Sequence, residues 1–89
     1  MELYIHYTEL PNDLPLAEVV GQLNETLDDT GAVSGGLNKE KGGRIDLELE
    51  DEGVNPKYAQ MAVKAYLQRA GFARDTVIEI GGMEIGLYE

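Results

Sequence analysis

Cysteine is absent from this chain, histidine and serine each occur once, as His6 and Ser34, and seven basic residues face seventeen acidic ones. Without cysteine there is no disulfide framework, no thiolate metal site and no thiol nucleophile. One histidine and one serine rule out a zinc-binding His pair, and neither a nucleophile elbow nor a phosphate loop is present. The glycines at 35, 36, 42 and 43 lack the order of a nucleotide-binding loop and fit turns and bulges instead. The chain is therefore expected to be non-enzymatic and to carry no cofactor. No apolar run approaches the roughly 20 residues that span a bilayer. The start, MELYIHYTEL, has neither the basic opening nor the apolar centre of a signal peptide. The expectation is a soluble cytoplasmic protein.

The shortage of cations has its own consequence. A formal charge of -10 and a pI near 4.3 oppose contact with nucleic-acid backbones and anionic membranes. Neither is expected as a direct partner. The same field attracts a basic protein and speeds its arrival at low salt.

What the chain does have is pattern. Its 89 residues, 43% of them hydrophobic, suit one domain over 1–89 with one modest core. MELYIHYT alternates Leu3, Ile5 and Tyr7 with Glu2, Tyr4 and His6, the period of a strand with two unlike faces. Asn12 and Asp13 offer caps before Leu14-Pro15, and Leu16, Val19, Val20, Leu23 and Leu27 follow at helical spacing until Gly31. Asp28 and Asp29 in the last turn of this helix oppose its dipole.

From Ala32 to Glu50 the period returns to two: AVSGGL, a polar loop NKEKGG, then RIDLELE, read as a hairpin with glycines in the turn. A second helix is predicted from the Asn55 cap and Pro56 to the stop at Gly71-Phe72. Ala59, Ala62, Val63, Tyr66, Leu67 and Ala70 form its inward stripe, while Lys57, Lys64, Gln68 and Arg69 face water. TVIEI and MEIGLYE flank Gly81-Gly82, predicting a closing hairpin rather than one bulged strand.

Strand, helix, strand, strand, helix, strand, with one more strand appended, resembles the ferredoxin-like βαββαβ superfold over nearly the whole chain. The resemblance implies an α+β two-layer sandwich, with both helices on one face of a mainly antiparallel sheet and the other face open. Ile45, Leu47 and Leu49 should then meet the helices. Asp46, Glu48 and Glu50 should point outward beside Glu2, Tyr4 and His6, with Glu79, Glu84 and Tyr88 extending the same surface.

Known uses of this superfold can be tested on these positions. RNA-recognition motifs stack bases on aromatic residues of the two central strands, but here the third strand offers acids and the first only Tyr4. Acylphosphatase-like enzymes need a phosphate-cradling loop with an arginine where this chain has TELPND. Metal-carrying relatives need a Cys-x-x-Cys pair. Asp46, Glu48 and Glu50 imitate the start of a calcium loop, yet Asp51 stands where glycine is required and Lys57 where a bidentate glutamate is required. Same-face neighbours on a strand also stand about 6.5 Å apart, too far for easy shared ligation. No metal site is expected. His6 and Asp46 are candidate neighbours across the central strands, an arrangement common among surface pairs.

Recognition by a surface remains. Tyrosines supply contact area and carboxylates supply steering and pairing with lysine or arginine. Regularly spaced carboxylates can also stand in for phosphates. The first expectation is thus a nucleic-acid mimic or inhibitor acting on a basic partner such as a nuclease, as immunity and anti-defence proteins do. Its docking residues would be Glu2, Tyr4, His6, Asp46, Glu48, Glu50 and Tyr88. Against it stands ordinary solvation of an exposed strand face. The alternative is a small regulatory or assembly module, a homodimer joined through a sheet edge at AVSGGL or MEIGLYE.

Overall fold

The alternating pattern at the N-terminus does form a strand, and it becomes the middle of the sheet. A computed structural model describes residues 2–11, 14–39, 42–50 and 56–88. Among them the elements run β1 (Glu2–Tyr7), α1 (Leu16–Leu27), β2 (Gly31–Lys39), β3 (Gly42–Leu49), α2 (Pro56–Ala70), β4 (Val77–Ile80) and β5 (Met83–Gly86). The sheet is antiparallel throughout, in the order β2-β3-β1-β4-β5. This is the ferredoxin-like arrangement with a fifth strand added beside β4.

Register puts the two central strands in step. Leu3 faces Leu47 and Ile5 faces Ile45, while Glu2 faces Glu48 and Tyr4 faces Asp46. Because side chains opposite each other share a sheet face, the first two pairs lie on one side and the last two on the other. Leu3, Ile5, Ile45, Leu47, Leu49 and Ile78 are all at most 2% exposed. They meet Val19, Leu23 and Leu27 of α1 and Ala59, Val63, Tyr66 and Leu67 of α2 in a single buried cluster. Each such side chain contributes about 1.5–3 kcal/mol by leaving water, so the helices are held to this one face.

The helices follow most of their sequence signals, but α1 ends at Leu27, so Asp28 and Asp29 belong to a separate 3-10 turn over Asp28–Thr30 and not to its last turn. Pro15 occupies the N-cap position of α1 and offers no side-chain cap; its carbonyl accepts from the Glu18 and Val19 amides instead. The expected caps Asn12, Asp13 and Asn55 lie outside the described residues. Of the stripe expected on α2, Ala62 and Ala70 are only half-buried. Gly71 ends α2 as expected. Its amide bonds to the Gln68 carbonyl and the Phe72 amide to the Leu67 carbonyl, the paired bonds of a Schellman stop. Phe72 and Leu67 are both buried beside it.

The two hairpins differ from each other. Gly81 and Gly82 both have positive φ, 59° and 80°, and join Ile80 directly to Met83, as a two-residue type I′ turn requires. The first hairpin corrects the expected polar loop: β2 reaches Lys39, β3 starts at Gly42, and these two residues pair, so most of NKEKGG is strand. Gly42 explains how. A Cβ there would lie 2.3 Å from the Tyr7 carbonyl oxygen, and its φ is 102°, so only glycine lets β3 run this close to the end of β1. Ser34 forms a bulge between Val33 and Gly35, its hydroxyl 3.3 Å from the Asp46 carbonyl oxygen.

Two stability predictions come from the buried side. Leu47→Asp places a charge beneath the helices at a cost on the order of 3–5 kcal/mol, a large share of what a small domain has. Urea unfolding should show the midpoint collapse. Thr76 is fully buried and its hydroxyl has no hydrogen-bond partner among the described residues. Thr76→Val keeps the shape and removes the orphan, so it should stabilise by about 1 kcal/mol, raising the melting temperature by roughly 4–8 °C. A lower melting temperature would show that the hydroxyl is bonded after all.

Candidate functional site

The face opposite the helices is built in cross-strand rows. One row runs Ala32, Glu48, Glu2; the next runs Gly35, Asp46, Tyr4, Glu79, Glu84; the third runs Leu37, Arg44, His6, Val77, Gly86. In these rows five carboxylates accompany one guanidinium. The structure therefore brings together Glu2, Tyr4, His6, Asp46 and Glu48, with Glu79 and Glu84, as the alternation requires.

Two expected members stand apart. Glu50 is exposed but lies just past the end of β3, its amide bonded to the Thr30 carbonyl. Tyr88 lies beyond β5, where the chain turns, and its hydroxyl donates to the Phe72 carbonyl at 3.0 Å. That bond ties Tyr88 to the connection after α2 rather than to the rows that hold Glu2 and Asp46. Leu87, just before it, is wholly buried, with its carbonyl accepting from Gln68. The closing residues thus anchor the chain end against α2.

Arg44 is the residue that the carboxylate pattern concealed. It has the same strand parity as Asp46 and Glu48, and it grips Asp46 with two bonds, Nε–Oδ1 at 2.6 Å and Nη2–Oδ2 at 3.2 Å. Its guanidinium carbon stands 5.5 Å from the centre of the Tyr4 ring, within cation–π range. Asp46 accepting from it holds the guanidinium more firmly charged than an ordinary arginine.

His6 differs from expectation as well. Its cross-strand neighbour on β3 is Arg44, not Asp46. Its Nε2 lies 2.9 Å from Oε1 of Glu79 on β4. Tyr4 donates to the Glu2 carboxylate. That bond, then desolvation and the charges of Glu2 and Asp46, push the Tyr4 hydroxyl above the usual tyrosine range, with Arg44 pulling the other way.

Arg44 thus takes up Asp46, and His6 lies within hydrogen-bonding distance of Glu79. Glu2 sits directly opposite Glu48, and Glu79 directly opposite Glu84. Opposed like charges on neighbouring strands destabilise a sheet, by up to roughly 1 kcal/mol per pair. On the other side of the molecule a groove of about 540 Å³ runs between the helices past Gln22, Glu25, Tyr66 and Arg69. Tyr66 donates to Gln22 there at 2.6 Å, and burial pushes its hydroxyl above the ordinary range.

Among the described residues no three His, Asp or Glu side chains converge in a way that could hold a metal ion. Among them, too, no helix is long and apolar enough to cross a membrane. No protein-family model matches the chain, and no curated protein or solved structure matches it either.

The electrostatics of Tyr4 can be checked directly. Glu2→Gln should bring the Tyr4 titration down toward that of a free tyrosine, because the carboxylate that accepts its proton is gone. Arg44→Gln should move it further up. Carbon-detected NMR of the ring through an alkaline titration reads both; identical curves would break the assigned contacts.

Proposed function

We propose that this is a small non-enzymatic binding protein that docks a basic protein on the open face of its sheet. The partner class that best fits is a nuclease or other nucleic-acid-binding protein, whose phosphate-binding cations the carboxylates would engage in place of nucleic acid. The protein would then act as an inhibitor or nucleic-acid mimic and would not itself touch nucleic acid.

The observation that supports this reading is that Glu2, Asp46, Glu48, Glu79 and Glu84 lie together on the sheet face away from the helices. Solubility alone asks only for charge, and a lysine opposite each glutamate would supply it while stabilising the sheet. Between these acids, Arg44 bonds Asp46 and lies over Tyr4, and His6 contacts Glu79. Exposed pairs of this kind add little stability, so they serve to fix side-chain positions.

The outer position of β2 and β5 in the sheet supports a second reading, in which copies join edge to edge. Met83, on β5, is 67% exposed. A homodimer that resists salt in sedimentation would identify that case.

The test uses charge placement at constant net charge. Glu2→Gln with Glu48→Gln removes two carboxylates from the face; Glu18→Gln with Glu25→Gln removes two from α1, on the helical side. Both variants, with the wild type, serve as bait at low and high salt. The face variant should be as stable as the wild type or slightly more so. It should lose a salt-sensitive basic partner, chiefly through slower association, while the helix variant keeps it. Equal loss in both variants would mean that only net charge matters, and the face would have no special role.

A further inference from the structure

The two helices carry opposite charge. α1 has Glu18 and Glu25 and no cation, whereas α2 has Lys57, Lys64 and Arg69 and no acid. Each helix also has a feature that its own chain does not explain. On α1, Gly21 stands two residues from the buried Val19 and Leu23, so it points away from the core. Glycine inside a helix weakens it, and a Cβ built on Gly21 meets nothing within 4 Å. On α2, Met61 stands two residues from the buried Ala59 and Val63. It is 57% exposed, and Tyr58, one turn before it, is 71% exposed.

The helices run in opposite directions. α1 joins β1 to β2 and α2 joins β3 to β4, while β3 is antiparallel to both β1 and β2 and β4 is antiparallel to β1. The bond from Tyr66 to Gln22 fixes their relative level. At a rise of about 1.5 Å per residue, Glu18 lies about 6 Å along from Gln22, and Arg69 lies about 4.5 Å from Tyr66 in the same direction. Burial dominates the rise at the Tyr66 hydroxyl, but Arg69 opposes that rise and Glu18 adds to it, so both charges stand near the ring. Among the described residues neither Glu18, Glu25 nor Arg69 makes an ion pair. Lys57 and Lys64 already interact within the chain, and Gln22, Asn24 and Gln68 are bonded within it.

We infer that the outer surface of the helical layer docks a second copy of this chain, with Glu18 of each copy meeting Arg69 of the other. A two-fold axis running between the two layers, along the helices, lays α1 of each copy antiparallel over α2 of the other. Glu18 and Arg69 then stand level across the contact, twice. Gly21 comes within about 3 Å of the level of Ala65, and its missing side chain lets the helices approach closely. Met61 and Tyr58 lie farther along, toward the end of α1, where the contact covers them. The open sheet faces point away from each other, so this dimer is independent of the docking reading above. At about 0.15 M salt, screening acts over about 8 Å, which weakens repulsion between the two distant acidic faces more than pairing at the contact.

Sedimentation of the full chain at about 0.15 M salt tests this. The wild type should move from 9.8 kDa toward twice that mass as concentration rises. Glu18→Arg and Arg69→Glu should each weaken association at least about tenfold, because each sets like charges against one another across the contact. An equimolar mixture of the two variants should restore a dimer, since each supplies the charge that the other lacks. Rescue between separate chains cannot come from a contact within one chain. Gly21→Gln should also weaken association, while its unfolding midpoint stays at or above that of the wild type because glutamine favours a helix more than glycine does.

A wild-type chain that stays at 9.8 kDa up to millimolar concentration would overturn the inference. So would a dimer that neither charge variant weakens, which would be assigned to the sheet edges instead. Folded variants that remain monomeric when mixed would remove the pairing of Glu18 with Arg69, and the inference with it.

Discussion

The fold depends on one constraint, the shared register of β1 and β3. These strands lie side by side at the centre of the sheet, and each alternates apolar with polar residues. Shifting either strand by one place would turn its entire apolar set outward. Glu48 and Asp46, or Tyr4 and His6, would then lie under the helices. Burying even one carboxylate without a partner costs several kcal/mol, a large share of the stability of a small domain, which disfavours misregister. The same alternation that builds the core therefore also assembles the polar face. Neither can be changed by a slip without destroying the other.

That constraint explains which features were legible in the sequence. The period of two in residues 2–7 and 44–49 identified both faces of the central strands, and burial agrees at every alternating position from Leu3 to Tyr7 and from Ile45 to Leu49. Helix spacing, together with Gly71, located α2 because a Schellman stop depends on local chain geometry. Gly81-Gly82 between two apolar runs marked the last hairpin for a similar reason. Each of these signals is local, and each agrees with the global packing.

The features that were missed depend on contacts between distant residues. The extent of the first hairpin turns on Gly42 meeting the Tyr7 and Thr8 backbone, and no property of NKEKGG announces that approach. The partner of His6 was misassigned because it comes from β4, whose place beside β1 is decided by topology rather than by spacing. Tyr88 has the parity of an open-face residue, yet the buried Leu87 before it turns the chain toward Phe72. Arg44 is a different case. Its position on the open face follows from the alternation, whereas its bonds to Asp46 and its place over the Tyr4 ring depend on side-chain conformation.

Arg44 also changes what the acidic face can mean. An unbroken carboxylate row would attract any polycation indiscriminately. Here the guanidinium takes up Asp46 and overlies Tyr4, and Glu79 is held by His6. On the docking reading proposed above, a partner cation placed over Arg44 would meet repulsion whereas one placed over Glu84 would meet attraction. An unfavourable contact beside favourable ones is a general source of selectivity, and on that reading Arg44 is the residue that supplies it.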